Sequence, residues 1–283
     1  MNCTKLKQID YIFIMITISF LLALLLGLSP QQEKPTVEVY NVEKEGSVEV
    51  HARNLNPYPV TLELKIELEN LRSSKRLPLT QVLAPGSDVE LLELTSKNSK
   101  EKWGFSSNYT YFMGSIFAEH TDSYAYRLPY KLGTEAMVAQ AYHGDFSHSG
   151  RIAYSIDFNM DEGTEIYAAR SGVVVDFKES FTEGGSDEFY LDKANYVTVV
   201  HNDGTFSEYA HLKVNGVVVN IGQKVRVGQL LAYSGSTGYV TGPHLHFNVK
   251  KVARDGSFNT LPVKFRTQNG AIQLKEKERY KAL

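Results

Sequence analysis

Residues 60–69 alternate strictly: Val60, Leu62, Leu64, Ile66 and Leu68 are apolar, whereas Thr61, Glu63, Lys65, Glu67 and Glu69 are polar. Successive side chains of a strand point to opposite faces, so this stretch predicts a strand buried on one side. Period-two runs recur from about 37 to 130, punctuated by the turn chemistry of "NLNPYP", "APGSD" (84–88) and "FSSN" (105–108). Short strands at that spacing predict a small antiparallel β-sandwich over 37–130, preceded by a polar linker at 31–36. Trp103, Phe105, Tyr109 and Tyr111 are expected to form its core and rim.

The pattern continues from 131 to 270 in "IAYSIDF", "IYAARSGVVVDF", "NYVTVVH", "TFSEYAHL" and "HLHFNVK", with glycines marking turns and bulges. Outside the N-terminal segment no apolar repeat of 3.6 residues is sustained, so the predicted fold class is all-β. The tail at 271–283 carries the charged run "LKEKERY" and is expected to be a short helix or disordered.

Alternation also aims the polar side chains. In "HLHFNVK", Leu245, Phe247 and Val249 share one face while His244, His246 and Asn248 share the other. In "AYSIDFNM", Ile156 and Phe158 point to a core and Asp157 faces outward with Ser155 and Asn159, on an open sheet face.

Composition narrows the setting. The chain has 283 residues and a formal net charge of -2, which gives no electrostatic case for a nucleic-acid partner. Lys5 and Lys7 precede an uncharged run from Tyr11 to Leu28. That run lies between a signal-peptide core of about 7 to 15 residues and a spanning helix of about 20. Residues 1–30 are therefore expected to be a signal peptide or membrane anchor, with the anchor favoured. The remainder would then lie in the cell envelope, periplasmic or otherwise extracytoplasmic, and tied to the membrane where 11–28 is retained. Cys3 is the only cysteine, so the exported part must fold without disulfides.

Six of the eight histidines fall in the second region, at 143, 148, 201, 211, 244 and 246. Histidine and carboxylate without cysteine suit a catalytic zinc, with three protein ligands and water as the fourth. Alternation alone leaves open which histidines meet.

"SHSGRIAYSIDF", "DEGTEIYAARSGVV", "NYVTVVHNDGTFSEYAHL", "GQKVRVGQLLAYSGSTG" and "TGPHLHF", in unbroken order over about 143–250, resemble the lysostaphin-like, LytM-type zinc metallopeptidases. The resemblance implies one zinc per chain held by His148, Asp157 and His246. It also implies that His211 and His244 act on the water and the developing oxyanion. Such a domain would be a zinc metalloendopeptidase hydrolysing peptidoglycan cross-links, either between D-alanine and diaminopimelate or within a glycine bridge. The alternative is a catalytically silent wall-binding or hydrolase-activating member of the same fold, and a third reading is a structural envelope component.

Departures from the family pattern carry their own expectations. Ala153 stands where the usual first ligand would lie four residues before Asp157, so His148 is reached across a longer turn, with His143 as the fallback ligand. Asp161 replaces a usual proline and Asn248 a usual glutamate, the latter on the site face. His201, in "HNDGT", is expected to be solvated at a hairpin, and His51 and His120 need no function. The insert at 178–194, with five acidic residues and two adjacent glycines, is expected to be a surface loop that walls the cleft and selects the peptide.

Overall fold

The computed structural model describes residues 36–283. The apolar run at 11–28 lies outside the described residues, and so do the signal and anchor readings placed on it. Among the described residues no helix is long and apolar enough to cross a membrane. The all-β expectation holds there: the chain forms strands, two short 3-10 turns and no α-helix.

The first strands make two sheets. One runs Val37–Lys44, Ser47–Asn54, Asp88–Ser96, Leu71–Ser73 in spatial order, the other Leu79–Leu83, Val60–Glu69, Gly104–Met113. Val50, Ala52, Leu62, Leu64, Leu83, Leu92 and Leu94 from both sheets share one core. Each such valine or leucine contributes about 1.5–3 kcal/mol by leaving water. The alternation in Val60–Glu69 is realised with one departure. Thr61 is buried because its hydroxyl donates to the Gly114 carbonyl at 2.8 Å. The aromatic strand Gly104–Met113 is an edge, which puts Trp103, Tyr109 and Tyr111 at the rim, with Trp103 44% exposed, and only Phe105 against the core.

The later strands build a nine-stranded sheet. Its spatial order is Lys224–Val225, Gly172–Lys178, Tyr196–Val200, Phe206–Ala210, His244–Val252, Ser155–Asn159, Glu135–Gln140, Arg279–Lys281, with Phe258–Thr260 also paired to His244–Val252. One face packs Val138, Ile156, Phe158, Tyr209, Leu245, Phe247 and Val249 into the largest core. The small sheet of Glu165–Tyr167, Leu230–Ser234 and Leu212–Val217 supplies Ile166, Leu212, Leu231 and Ala232 to the same core.

Two expectations are overturned here. The charged tail is neither helix nor disordered: Arg279–Lys281 pairs with Glu135–Gln140, and Leu274, Tyr280 and Ala282 are buried in the core. Three apolar side chains spaced among exposed charges suffice to dock it. His201 is not solvated either, being 4% exposed. The turn forms as expected, with the Gly204 N–H donating to the His201 carbonyl. The imidazole nevertheless points inward, with Nδ1 2.9 Å from the Ser171 carbonyl and Nε2 2.6 Å from Ser207 Oγ.

Candidate metal centre

Asp157 and His246 face each other in the antiparallel register between Ser155–Asn159 and His244–Val252, and Asn159 faces His244. Their sequence neighbours Ile156, Phe158, Leu245 and Phe247 are buried in the core. Because sides alternate along a strand, that packing drives Asp157, His244 and His246 to the opposite face together. His148 arrives from the loop before Gly150–Ile152, a single 3-10 turn that spans the extra residues between it and Asp157.

One carboxylate oxygen is the focus. Asp157 Oδ1 lies 2.8 Å from His246 Nδ1, 3.2 Å from His148 Nε2 and 3.8 Å from His244 Nε2. One donor atom each from His148, Asp157 and His246 fall within 4.8 Å of one another. His143, the fallback, lies elsewhere, its ring edge-on to Tyr154 at 4.8 Å. Asp157 is 7% exposed, so the face anticipated as open is the floor of a cleft.

The donor chemistry fits a divalent metal. His148 Nδ1 lies 2.8 Å from the Ala141 carbonyl, and a carbonyl only accepts, so the ring carries its proton on Nδ1 and presents a lone pair at Nε2. That Nε2 is buried and its lone pair meets the Asp157 Oδ1 acceptor at 3.2 Å with no donor between them, a costly state that a metal ion would relieve. Burial alone would raise the Asp157 carboxyl, but the His148 and His246 imidazoles beside it hold it well below the ordinary carboxylate range. Burial pulls His148 down, and the Asp157 charge outweighs it to leave the imidazole raised.

Two more histidines complete the cluster. His211 Nδ1 lies 2.7 Å from the Thr237 carbonyl and His244 Nδ1 lies 2.9 Å from the Gly242 carbonyl. By the same logic each ring turns an Nε2 lone pair away from its carbonyl partner. Their centroids are 4.7 Å apart, and His211 stands 5.7 Å from His246. Burial, then the neighbouring His244 and His246, push His211 down to about 3, which keeps it a neutral acceptor at physiological pH.

The cleft has a volume of about 910 Å³. Phe146 and Tyr239 stack at its edge with centroids 5.5 Å apart, and Glu276 enters its lining from the docked tail. Glu188 and Leu191 of the 178–194 insert line it as well. Gly184–Gly185 of that insert pairs in parallel with Gly238–Tyr239, just ahead of His244. The pairing needs glycine at 238, where φ is +82° and a Cβ would lie 2.7 Å from that of Ala194. Asn248 sits with Nδ2 3.3 Å from both His246 Nε2 and Glu208 Oε1.

Sequence reasoning missed Gln140, the Ala141, Thr237 and Gly242 carbonyls, and the stacked aromatic pair. Backbone acceptors carry no residue-type signal, and Gln140 is recognisable only through its cross-strand position opposite Asp157.

The profile of Peptidase family M23 matches residues 151–260, which include Asp157, His211, His244 and His246. Residues 151–260 therefore form an M23 domain. The chain's matched part is similar to lysostaphin of Staphylococcus staphylolyticus, at 41% identity over 101 residues, 35% of this chain and 18% of that protein. It is also similar to the peptidoglycan DD-endopeptidase ShyA of Vibrio cholerae, at 39% identity over 93 residues, 33% of this chain and 19% of that protein. The chain thus spans under a fifth of the length of these relatives. The catalytic domain of lysostaphin from Staphylococcus simulans aligns with 26% identity and a TM-score of 0.30, over 50% of this chain and 87% of that one. His148 lies just ahead of the M23 match and joins the site through the fold.

Proposed function

We propose that the chain is a zinc endopeptidase that hydrolyses peptide cross-links of bacterial peptidoglycan, working outside the cytoplasmic membrane where that polymer lies. The observation that carries this is the convergence of His148, Asp157 and His246 within 4.8 Å at the floor of a cleft that also holds His211 and His244. The similarity to ShyA, a peptidoglycan DD-endopeptidase, supports the polymer and the peptide bond as substrate.

His148, Asp157 and His246 would hold the zinc, which supplies a Lewis acid and brings the pKa of a bound water to about 7. The chain's own part is to place two acceptor nitrogens beside that centre. His244 is 3.8 Å from the Asp157 oxygen, so it stands nearest to a proton released there and can return it to the leaving amine. His211, tied by Nδ1 to Thr237 and held neutral by burial, offers its Nε2 as a second acceptor beside the same centre. The carbonyl contacts hold both rings without help from substrate, so little reorganisation is left for the reaction itself.

The test is digestion of purified peptidoglycan with and without added zinc, beside His246→Ala, reading the fragments by mass spectrometry. Zinc-dependent release of un-cross-linked stem peptides that the variant lacks is the expected result, and the fragment masses identify the bond. Intact cross-links after treatment with folded, zinc-loaded protein would sink the enzymatic reading and leave the wall-binding alternative.

A further inference from the structure

Gln140 ends the strand Glu135–Gln140, pairs with Asp157 across the sheet and is 7% exposed. Its side-chain oxygen accepts from the Phe146 N–H at 2.9 Å and the Ser147 N–H at 3.2 Å. Its side-chain nitrogen donates to Ser147 Oγ at 2.9 Å and to Asp157 Oδ2 at 3.0 Å. An amide has two donor hydrogens and two acceptor lone pairs, so this one is fully used. Two main-chain N–H groups fix which end is oxygen, since a flipped amide would set donor against donor. The NH₂ must therefore face the carboxylate.

We propose that Gln140 is the positioning residue of the metal centre, acting through both Asp157 and the loop that carries His148. By occupying Oδ2 it leaves Asp157 a single oxygen, Oδ1, which is the one that faces His148 and His246. By gripping Phe146 and Ser147 it sets the residue immediately before His148. The register shifts here, with Asp157 opposite Gln140 and Phe158 opposite Val138, so that Ala139 is the extra residue and Gln140 stands directly across from Asp157. The loop is shaped around this amide: a Cβ on Gly144 would lie 2.2 Å from Gln140 Cγ, so the chain can close there only over glycine. Two ligands separated in sequence are thus held at a fixed spacing before any metal arrives.

This inference rests on the metal-site reading of the proposed function, and its test reads metal binding instead of hydrolysis. The full chain is stripped by chelation, and zinc affinity is measured by competition with a chromophoric chelator, alongside the visible spectrum of the cobalt(II) form. Gln140→Glu keeps the side-chain volume and the acceptor for the two loop N–H groups, but sets a carboxylate against Asp157. Gln140→Ala removes both contacts. Each variant is expected to bind zinc about 10–100-fold more weakly, with an altered cobalt spectrum, since partners of metal ligands act on that scale. A purely structural role would lower thermal stability without moving the spectrum.

A folded variant with the wild-type zinc dissociation constant and cobalt spectrum would overturn the proposal. Hydrogen exchange in the stripped wild-type protein adds a test that needs no variant: slow exchange of the Phe146 and Ser147 amides is expected, and exchange at the free-chain rate would also overturn it. Wild-type protein that binds no zinc at all would instead remove the proposed function, leaving the two failures distinguishable.

Discussion

His211 and His244 share with His148 an Nδ1 tied to a backbone carbonyl, of Thr237 and of Gly242, but neither belongs to the cluster of donor atoms formed by His148, Asp157 and His246. Replacing either with alanine should lower kcat by about 10²–10⁴-fold, the range for loss of a positioned acid or base, while one zinc per chain remains bound. Loss of zinc from either variant, seen by elemental analysis, would make that histidine a ligand instead. The pair in "HLHF" was readable from the sequence because a strand shows its neighbours by parity, and Asp157 followed by the same rule. The direction of each imidazole was not readable. It depends on carbonyls at 141, 237 and 242, and every residue has a carbonyl.

Among the elements, the 178–194 insert has the clearest expected effect. Its paired glycines anchor it beside Tyr239, and it lines the cleft with Leu191, an apolar side chain that offers no acid, base or ligand group. Leu191→Ala should therefore raise KM severalfold with kcat nearly unchanged, the signature of lost uniform binding. An unchanged KM on cross-linked peptide would show that this wall does not meet substrate. The insert's length and composition point to a surface loop at the cleft, whereas its anchoring is hidden in the sequence, since parallel pairing of two-residue strands leaves no period. The tail hid for the opposite reason. A run in which charges outnumber apolar residues reads as solvated, yet Leu274, Tyr280 and Ala282 fall where the outer strand can use them.

At the scale of the whole molecule, buried His201 adds acid sensitivity through the fold, beside that of buried His211 in the site. Burial holds the His201 imidazole down to about 4, below its ordinary 6.5. Above pH 6.5 neither state takes a proton there and its contribution to stability is complete. As pH falls from 6.5 to about 4 the unfolded chain binds a proton that the folded one refuses, so about 1.4 kcal/mol per pH unit is lost, roughly 3 kcal/mol in all. Urea unfolding of metal-free protein between pH 7 and 4.5 should show this loss, and His201→Gln should show a shallower one. Identical slopes for the two proteins would remove His201 as the cause. The pairing of Asp157 with His246 has a consequence on another timescale. A single residue gained or lost within either strand would turn Phe158 or Leu245 toward water and the ligands toward oil, so descendants carrying it would lose fold and metal together. Length variation in this lineage should then collect in the connectors, such as the 149–154 turn and the 178–194 insert, while the two strands drift only by exchange of one side chain for another.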